Sequence, residues 1–205
     1  MAGVQARRLL GRADLSRGAR GAPAGAVIET ERLVLRTWRE ADKPAFHDII
    51  NTPAMMMHFG GVAPRAAIDA LIDMMIAAQD RDGYSMWAVE TKADGALAGI
   101  CGLRHQIGYP ELPVYGELEI GWRIAECWWG QGVAREAAEA SLAWGWANTD
   151  FARIAAWTSI GNKRSWGLMT RLGMKRHAEL DFHHPKVSTD DPDGDMIVYA
   201  IDRPQ

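Results

Sequence analysis

A turn built from very small residues lies at positions 130–134. Gly130, Gly132 and Ala134 alternate there with Gln131 and Val133, and none of the three alternating positions carries more than a methyl group. Such a turn exposes backbone N–H groups at the start of the helix that the following residues predict. Unpaired donors and the helix dipole both favour an anion at this place. The spacing therefore predicts a site for a ligand that carries phosphate.

Two familiar phosphate-binding turns do not fit this segment. A P-loop requires Lys followed by Ser or Thr after its last glycine, whereas Val133 and Ala134 follow Gly132. A dinucleotide-binding turn requires a third small residue where Arg135 stands. Neither class of nucleotide site is therefore expected.

The turn is predicted to join a strand to a helix. Residues 117–125 alternate between polar and apolar side chains, with Glu117, Glu119 and Arg123 on one face, which is typical of a strand with one buried face. The helix after the turn has a face of small residues that suits close packing on a sheet. This face consists of Ala134, Ala137, Ala138, Ser141, Leu142 and Gly145.

A second motif follows the predicted strand over 151–158. Asn162 stands near the start of a predicted helix, Ser165 lies in its first turn, and Gly173 stands at its end. Asn is a preferred residue at helix starts, and Gly is preferred just after helix ends.

The two motifs together resemble the GNAT superfamily of N-acetyltransferases. The acyl-CoA loop of that family is written Q/R-x-x-G-x-G/A, and the segment from Trp129 to Ala134 fits it, with Trp129 in place of the opening Gln or Arg. Asn162, Ser165 and the Leu-Gly-Met that ends the helix resemble the family's second motif. The opening Thr30 to Arg36 is similar to that of the ribosomal-protein-alanine acetyltransferase-like (RimJ and RimL type) branch. The resemblance extends over about 28–202.

The resemblance implies acetyl-CoA as acyl donor and assigns residues to it. Strand-like pairing around Arg123 and Ile124 would hold the pantetheine arm, and Asn162 would lie near it. The N–H groups of the loop would hold the pyrophosphate; these residues are Gly130, Gln131, Gly132, Val133, Ala134 and Arg135.

The resemblance also implies catalytic roles. Glu119 occupies the position similar to the catalytic Glu of histone-type relatives and would act as general base, directly or through water; its bland interpretation is a strand residue paired with Arg123. Glu117 is the reserve candidate. Many relatives place a Tyr general acid where Met169 stands here, so Ser165 is the candidate that protonates or hydrogen-bonds the departing thiolate. A purely structural Ser165 would instead bond to its own backbone.

The acceptor must be a neutral amine. A lysine with a pKa of about 10.4 is roughly 0.04% neutral at pH 7, whereas an α-amino group with a pKa of about 7.8 is more than a tenth neutral. A lysine acceptor therefore depends far more on a base or on desolvation.

The composition predicts one globular domain over 27–203 after an Arg-, Ala- and Gly-rich extension over 1–26, which we interpret as a flexible tail. A net charge of −3 gives no reason to expect nucleic acid or an anionic membrane as partner. No apolar run approaches the roughly 20 residues of a membrane span.

Cys101 and Cys127 are the two cysteines. The sequence does not decide whether a disulfide joins them, and a reducing cytoplasm is the simpler interpretation.

No metal is expected. His183 and His184 could bind a metal or take a proton, but adjacent His rarely share one metal, and the Asp-rich segment over 190–195 is typical of a solvated turn. Met55, Met56 and Met57 are interpreted as adaptable core filling.

The predicted fold is an α/β (α+β) domain, with a mixed, mostly antiparallel twisted sheet of about seven strands and four helices. The pattern predicts a first strand over 30–38, a helix over 40–50 that Pro53 closes, and a second helix from Pro64 to Asp82. A hairpin over 84–103 and two closing strands over 175–180 and 196–202 complete the sheet.

Three function classes follow. The first is acetyl transfer from acetyl-CoA to a protein N-terminal α-amine, the second is transfer to a small amine such as an aminoglycoside, a polyamine or an amino acid, and the third is a non-catalytic acyl-CoA-binding module. The loop with Asn162, Ser165 and Glu119 argues against the third. Either a monomer or a homodimer is consistent with the sequence.

Overall fold

The computed structural model describes residues 26–205. The predicted extension therefore lies, apart from Ala26, outside the described residues, and its flexibility stays a prediction. The strands are β1 Ala26–Glu29, β2 Leu33–Arg36, β3 Met86–Thr91, β4 Leu97–His105, β5 Leu118–Ile124, β6 Arg153–Ser159, β7 Lys175–Arg176, β8 Phe182–His183 and β9 Asp195–Asp202. The α-helices are α1 Lys43–Ile50, α2 Pro53–Met56, α3 Arg65–Asp82, α4 Val133–Asn148 and α5 Lys163–Arg171.

The described strands form one sheet in the order β1-β2-β3-β4-β5-β6-β9-β7, and β8 also pairs with β9. Every described pair is antiparallel except β5 and β6, which run parallel. The predicted fold is confirmed. The described residues form nine strands and five α-helices where the sequence predicts about seven and four, because two strands have only two residues and α2 is a short extra helix.

Helices cover both faces of the sheet. On one face, α1 and α3 pack against the sheet around Phe46, Ile68 and Ile100. On the other face, α4 and α5 pack against the inward side chains of β4, β5 and β6, which include Leu103 and Leu118. The central strands β4, β5 and β6 are therefore packed between helices on both faces.

The predicted small face of α4 is confirmed at its closest approach to the sheet. Ala137, Ala138 and Ser141 are fully buried. A Cβ added to Gly145 would lie 2.8 Å from Leu103 Cδ1 and 3.1 Å from Ile154 Cδ1. A larger residue at Gly145 would thus push the helix off β4 and β6.

Three predicted boundaries are wrong. The strand expected over 30–38 spans only Leu33–Arg36, because the Thr30 N–H donates to the Leu33 carbonyl at 3.0 Å and makes a turn between β1 and β2. Pro53 does not close the first helix but begins α2, because Thr52 Oγ1 accepts from the Met55 N–H and caps a new helix. The strand expected over 175–180 ends at Arg176, since an Asp181 carboxylate oxygen accepts from the Val198 N–H at 3.0 Å where a strand carbonyl would otherwise pair.

Two smaller expectations are settled by burial. Met55 and Met56 are buried as core filling, whereas Met57 is 61% exposed. Cys101 is buried, Cys127 is exposed, and both are free thiols, so no disulfide joins them. In the described part of the chain, no helix combines the length and apolar character needed to span a membrane.

Candidate active site

The glycine turn is an open cradle of backbone donors. Gly130 and Gly132 have φ angles of 74° and 80°, a left-handed conformation that glycine adopts without strain. A Cβ added to Gly130 would meet nothing within 4 Å. The first helical bond of α4 runs from the Glu136 N–H to the Gly132 carbonyl. The N–H groups of the α4 residues that precede Glu136 have no acceptor within residues 26–205. A bound anion would accept hydrogen bonds from them.

The cradle is braced from the β1–β2 turn. Arg32 Nη1 donates to the Gln131 carbonyl at 3.0 Å, and Arg32 Nε donates to Glu136 Oε2 at 2.7 Å. Gln131 Nε2 also donates to the Cys127 carbonyl at 2.6 Å. These bonds hold the loop in shape from outside while its inner face stays open.

A gap opens in the sheet directly before this loop. Strand β5 pairs with β4 along its whole length, from Leu118 to Ile124. With β6 it pairs only at Leu118 and Glu119. Beyond Glu119 the pairing with β6 stops, so the edge of β5 over 120–124 has no strand partner on that side among the described residues.

The predicted pantetheine residues lie on this open stretch of β5. The indole N–H of Trp129 already donates to the Ile124 carbonyl at 2.6 Å. The Arg164 guanidinium carbon stands 4.2 Å from the centre of the Trp129 ring. Trp129 and Arg164 therefore connect the loop to the start of α5. The sequence pattern does not predict this contact.

Asn162 and Ser165 occupy the start of α5 as the motif predicts. Asn162 Oδ1 accepts from the Ser165 N–H at 3.3 Å, which caps the helix. Neither Asn162 Nδ2 nor Ser165 Oγ donates to another group in the described chain, so both can meet a ligand. The Ser165 hydroxyl thus does not make the backbone bond of a purely structural serine. Met169 is 1% exposed and packs in the core, so its position points away from the gap.

Glu119 is buried at the point where β5 and β6 separate. Arg104, directly opposite on β4, donates from Nε to Glu119 Oε2 at 2.9 Å, and its Nη2 donates to the same oxygen. The partner is therefore Arg104 and not the Arg123 that the sequence suggested. No donor among residues 26–205 reaches Glu119 Oε1. One carboxylate oxygen is thus held in place while the other remains available for a proton.

The surroundings of Glu119 make its carboxylate a stronger base. Burial raises the pKa of Glu119, and Arg104 and Arg123 oppose that rise without reversing it. A Cβ added to Gly121 would lie 3.9 Å from Glu119 Oε1 and 2.5 Å from Met86 Cε. Gly121 and Met86 therefore wall the space in front of the free oxygen.

Glu117, the reserve candidate, lies outside this space. Its carboxylate pairs with Arg153 at the start of β6, with Nε to Oε2 at 3.2 Å. This ion pair ties the first residues of β5 to those of β6 and leaves Glu117 with a structural role.

Three side chains from loops, His184, Tyr109 and Phe59, lie near the arginines that surround Glu119. His184 stacks edge-on against Tyr109 with 5.7 Å between ring centres. Burial lowers the pKa of His184, and the positive charges of Lys186 and Arg104 lower it further. Phe59 covers Arg123, with 3.8 Å between its ring centre and the guanidinium carbon. No group of three His, Cys, Asp or Glu side chains within residues 26–205 is arranged to hold a metal ion.

Two surface cavities lie away from this face. One, of about 370 Å³, touches the outer side of the loop at Trp128 and Val133. The other, of about 440 Å³, lies at the Glu117–Arg153 pair. Neither cavity is lined by Glu119.

Comparison with known proteins places these features in context. Residues 32–175 match the family of acetyltransferase (GNAT) domains. YkkB, an uncharacterized protein of Bacillus subtilis (strain 168), is 29% identical over 148 residues, which are 72% of this chain and 84% of YkkB.

Two solved structures share the fold. An acetyltransferase from Agrobacterium tumefaciens str. C58 superposes with a TM-score of 0.68 at 25% identity, over 90% of this chain and 98% of its own. RimL, a ribosomal L7/L12 α-N-protein acetyltransferase solved in complex with coenzyme A, gives a TM-score of 0.66 at 18% identity, over 84% of this chain and 95% of its own.

Proposed function

This chain belongs to the GNAT acetyltransferase family, and from that premise we propose that it acetylates the α-amino group of a protein N-terminus. The family makes it an acetyl-CoA-dependent N-acetyltransferase. The acceptor and the roles of individual residues are our proposal.

The charge around Glu119 carries the choice of acceptor. Arg104 and Arg123 are the two guanidinium groups that act on this carboxylate, so the face holds two positive charges against one negative charge. A lysine acceptor would arrive almost entirely as a cation, whereas an α-amine is already more than a tenth neutral near pH 7. A face with excess positive charge disfavours the first and tolerates the second. The likeness to RimL, named as an α-N-protein acetyltransferase, supports the same choice.

The residues of this chain fit the acyl donor. The unpaired N–H groups of Val133, Ala134 and Arg135 would hold the pyrophosphate at the start of α4. The open edge of β5 would pair with the pantetheine arm, and Asn162 Nδ2 would donate to it. When bound, acetyl-CoA supplies the activated thioester.

Glu119 and Ser165 would then move the protons. Glu119 Oε1 accepts the proton that the amine loses, directly or through one water, while Arg104 keeps Oε2 fixed. Ser165 Oγ stands ready to donate to the departing sulfur. Gly121 and Met86 lie beside Glu119 Oε1, and burial raises the pKa of this carboxylate and so strengthens it as a base.

Thiol release from acetyl-CoA tests this proposal against its competitors. The acceptors are a peptide with a free N-terminus, the same peptide with a blocked N-terminus and a lysine, and a panel of aminoglycosides, polyamines and amino acids. We expect turnover with the free N-terminus and little with the blocked peptide. Turnover only with the small amines would indicate a small-molecule acetyltransferase. Binding of acetyl-CoA without thiol release for any of these acceptors would indicate a non-catalytic acyl-CoA-binding module.

A further inference from the structure

Arg123 is a guanidinium without a partner in the described structure. Arg36, Arg104 and Arg153 each donate to a carboxylate. The side chain of Arg123 makes no hydrogen bond and no ion pair with any of residues 26–205, although its backbone pairs with Ile100 of β4. A guanidinium offers five N–H donors, and the Arg123 side chain is only partly buried. Its N–H groups are therefore able to donate to a ligand that enters this face.

The side chain is held in a fixed place. Phe59 lies against the flat side of the guanidinium at 3.8 Å, which leaves the N–H groups at its edge directed elsewhere. Phe59 belongs to a segment that ends in Gly60 and Gly61, with φ angles of 81° and 85°. Burial lowers the pKa of Arg123 to about 10, and repulsion from Arg104 adds to the effect. Arg123 remains charged at neutral pH.

Arg123 shares its strand face with Glu119. The two residues are four apart on β5, and side chains at even spacing point to the same side of a strand. With about 3.3 Å per residue, their Cα atoms lie about 13 Å apart. An extended peptide whose amine reaches Glu119 places the side chain of its second or third residue up to about 10 Å further on. That distance, together with the length of the arginine side chain, spans the separation.

We propose that Arg123 binds an acidic side chain of the acceptor, so that the preferred substrate is an N-terminus with Asp or Glu as second or third residue. The inference rests on the proposed function and adds a specificity residue to it. A carboxylate matches the fork of N–H donors on the guanidinium. It also balances the excess positive charge beside Glu119.

Matched peptides test the proposal. Two peptides that begin with serine differ only by glutamate or glutamine at the second position, and kcat/KM is measured by thiol release at saturating acetyl-CoA. The wild type should prefer glutamate by about tenfold to a hundredfold, the range for a hydrogen bond to a charged group. Arg123→Gln should abolish the preference through KM, Arg123→Lys should keep part of it, and Arg123→Glu should favour a lysine peptide.

Control measurements separate specificity from folding and from donor binding. Arg65→Gln removes an exposed arginine of α3 that pairs with Asp69 and should leave the preference unchanged. The thermal midpoint shows whether each variant folds. Calorimetry should give the same CoA affinity for wild type and Arg123→Gln, because the pantetheine arm would pair with the backbone at this position and not with the side chain.

Each remaining outcome decides the matter. Equal preference in wild type and Arg123→Gln would overturn the proposal, as would a loss of CoA affinity with the peptide preference intact. If the wild type acetylates no peptide, the proposed function fails. Binding of the glutamate and glutamine peptides, measured by calorimetry in the presence of CoA, then decides the role of Arg123, with equal affinities of the two peptides in the wild type contradicting it.

Discussion

At the scale of single residues, the proposed reaction depends on one carboxylate whose two oxygens have different surroundings. Arg104 fixes Oε2 of Glu119, while Oε1 faces the space bounded by Gly121 and Met86. This division lets one group be both oriented and reactive. It also assigns Arg104 a positioning role, because it acts on the reaction only through Glu119.

Replacing Glu119 with Gln should preserve donor binding and reduce turnover. The amide keeps the size of the side chain but cannot accept the proton, and the loss of a general base costs typically 10²–10⁴-fold. The deficit should shrink towards pH 8, where an α-amine deprotonates without help. Steady-state rates over pH 6–10 measure this, with CoA affinity by calorimetry as the control. Wild-type turnover at pH 7 would remove Glu119 from the mechanism.

Arg104 should set the acidic limb of the pH–rate profile. Burial raises the pKa of Glu119 and Arg104 opposes the rise, so removing the positive charge raises the pKa further. A base with a higher pKa is protonated up to a higher pH, and activity is lost there. Arg104→Gln should therefore move the acidic limb of kcat/KM upward, and Arg104→Lys, which keeps the charge, should move it less. A limb at the same pH in all three proteins would contradict the ion pair.

At the scale of elements, the site depends on where a strand leaves its neighbour and a helix begins. Strands β5 and β6 share only two residue pairs, and the glycine loop follows the unpaired end of β5. Arg32 braces that loop from the opposite edge of the sheet. The sheet thus supplies the unpaired edge of β5, and the start of α4 supplies the free N–H donors.

Gly132→Val should weaken CoA binding beyond its effect on folding. Gly132 has φ 80° and ψ 0°, where a β-branched residue is strained. A Cβ there would lie 3.5 Å from Arg32 Nη2, so the larger side chain would also disturb the arginine that braces the loop. Gly83→Val is the matched control, because Gly83 has φ 79° and ψ 0° at the end of α3. Both substitutions should lower the thermal midpoint by a similar amount. Calorimetry should show lost CoA affinity only for Gly132→Val, and equal affinities in the two would make the loop a packing turn.

The elements that the sequence predicts well are those with local signals. The glycines at 130 and 132 predict the loop, and Asn162 predicts the cap of α5, because each acts within a few residues of its own position. Arg104 could not be assigned to Glu119, since their pairing depends on the register across the loop over 106–117. Phe59 on Arg123 joins distant segments, and only the assembled fold brings them together.

At the scale of the whole molecule, the described residues form one continuous sheet from β1 to β7 with helices on both faces. The site lies in the middle of this sheet, at β5 and β6, and its roof comes from loops near residues 59, 109 and 184. The edge strand β1 contributes indirectly, since the turn after it carries Thr30 and Arg32, which bind Glu136 of α4.

Removal of residues 1–25 should leave the thermal midpoint and turnover nearly unchanged. The described sheet begins at Ala26, and the excluded segment has the composition of a flexible tail. Deletion of residues 1–31 is the control, because it also removes β1 and the Thr30 bond to Glu136. That longer deletion should lower both the midpoint and CoA affinity. A large loss from the shorter deletion would show that the tail packs on the domain.

The most direct measurement is the position of the acetyl group on one peptide that offers two amines. The peptide begins with serine and glutamate, contains one internal lysine, and is incubated with acetyl-CoA and enzyme at pH 7 before fragmentation mass spectrometry. The account predicts acetylation of the α-amine, unmodified lysine, and strongly reduced product with Glu119→Gln. Acetyl groups on the lysine, or no product above the reaction without enzyme, would contradict it.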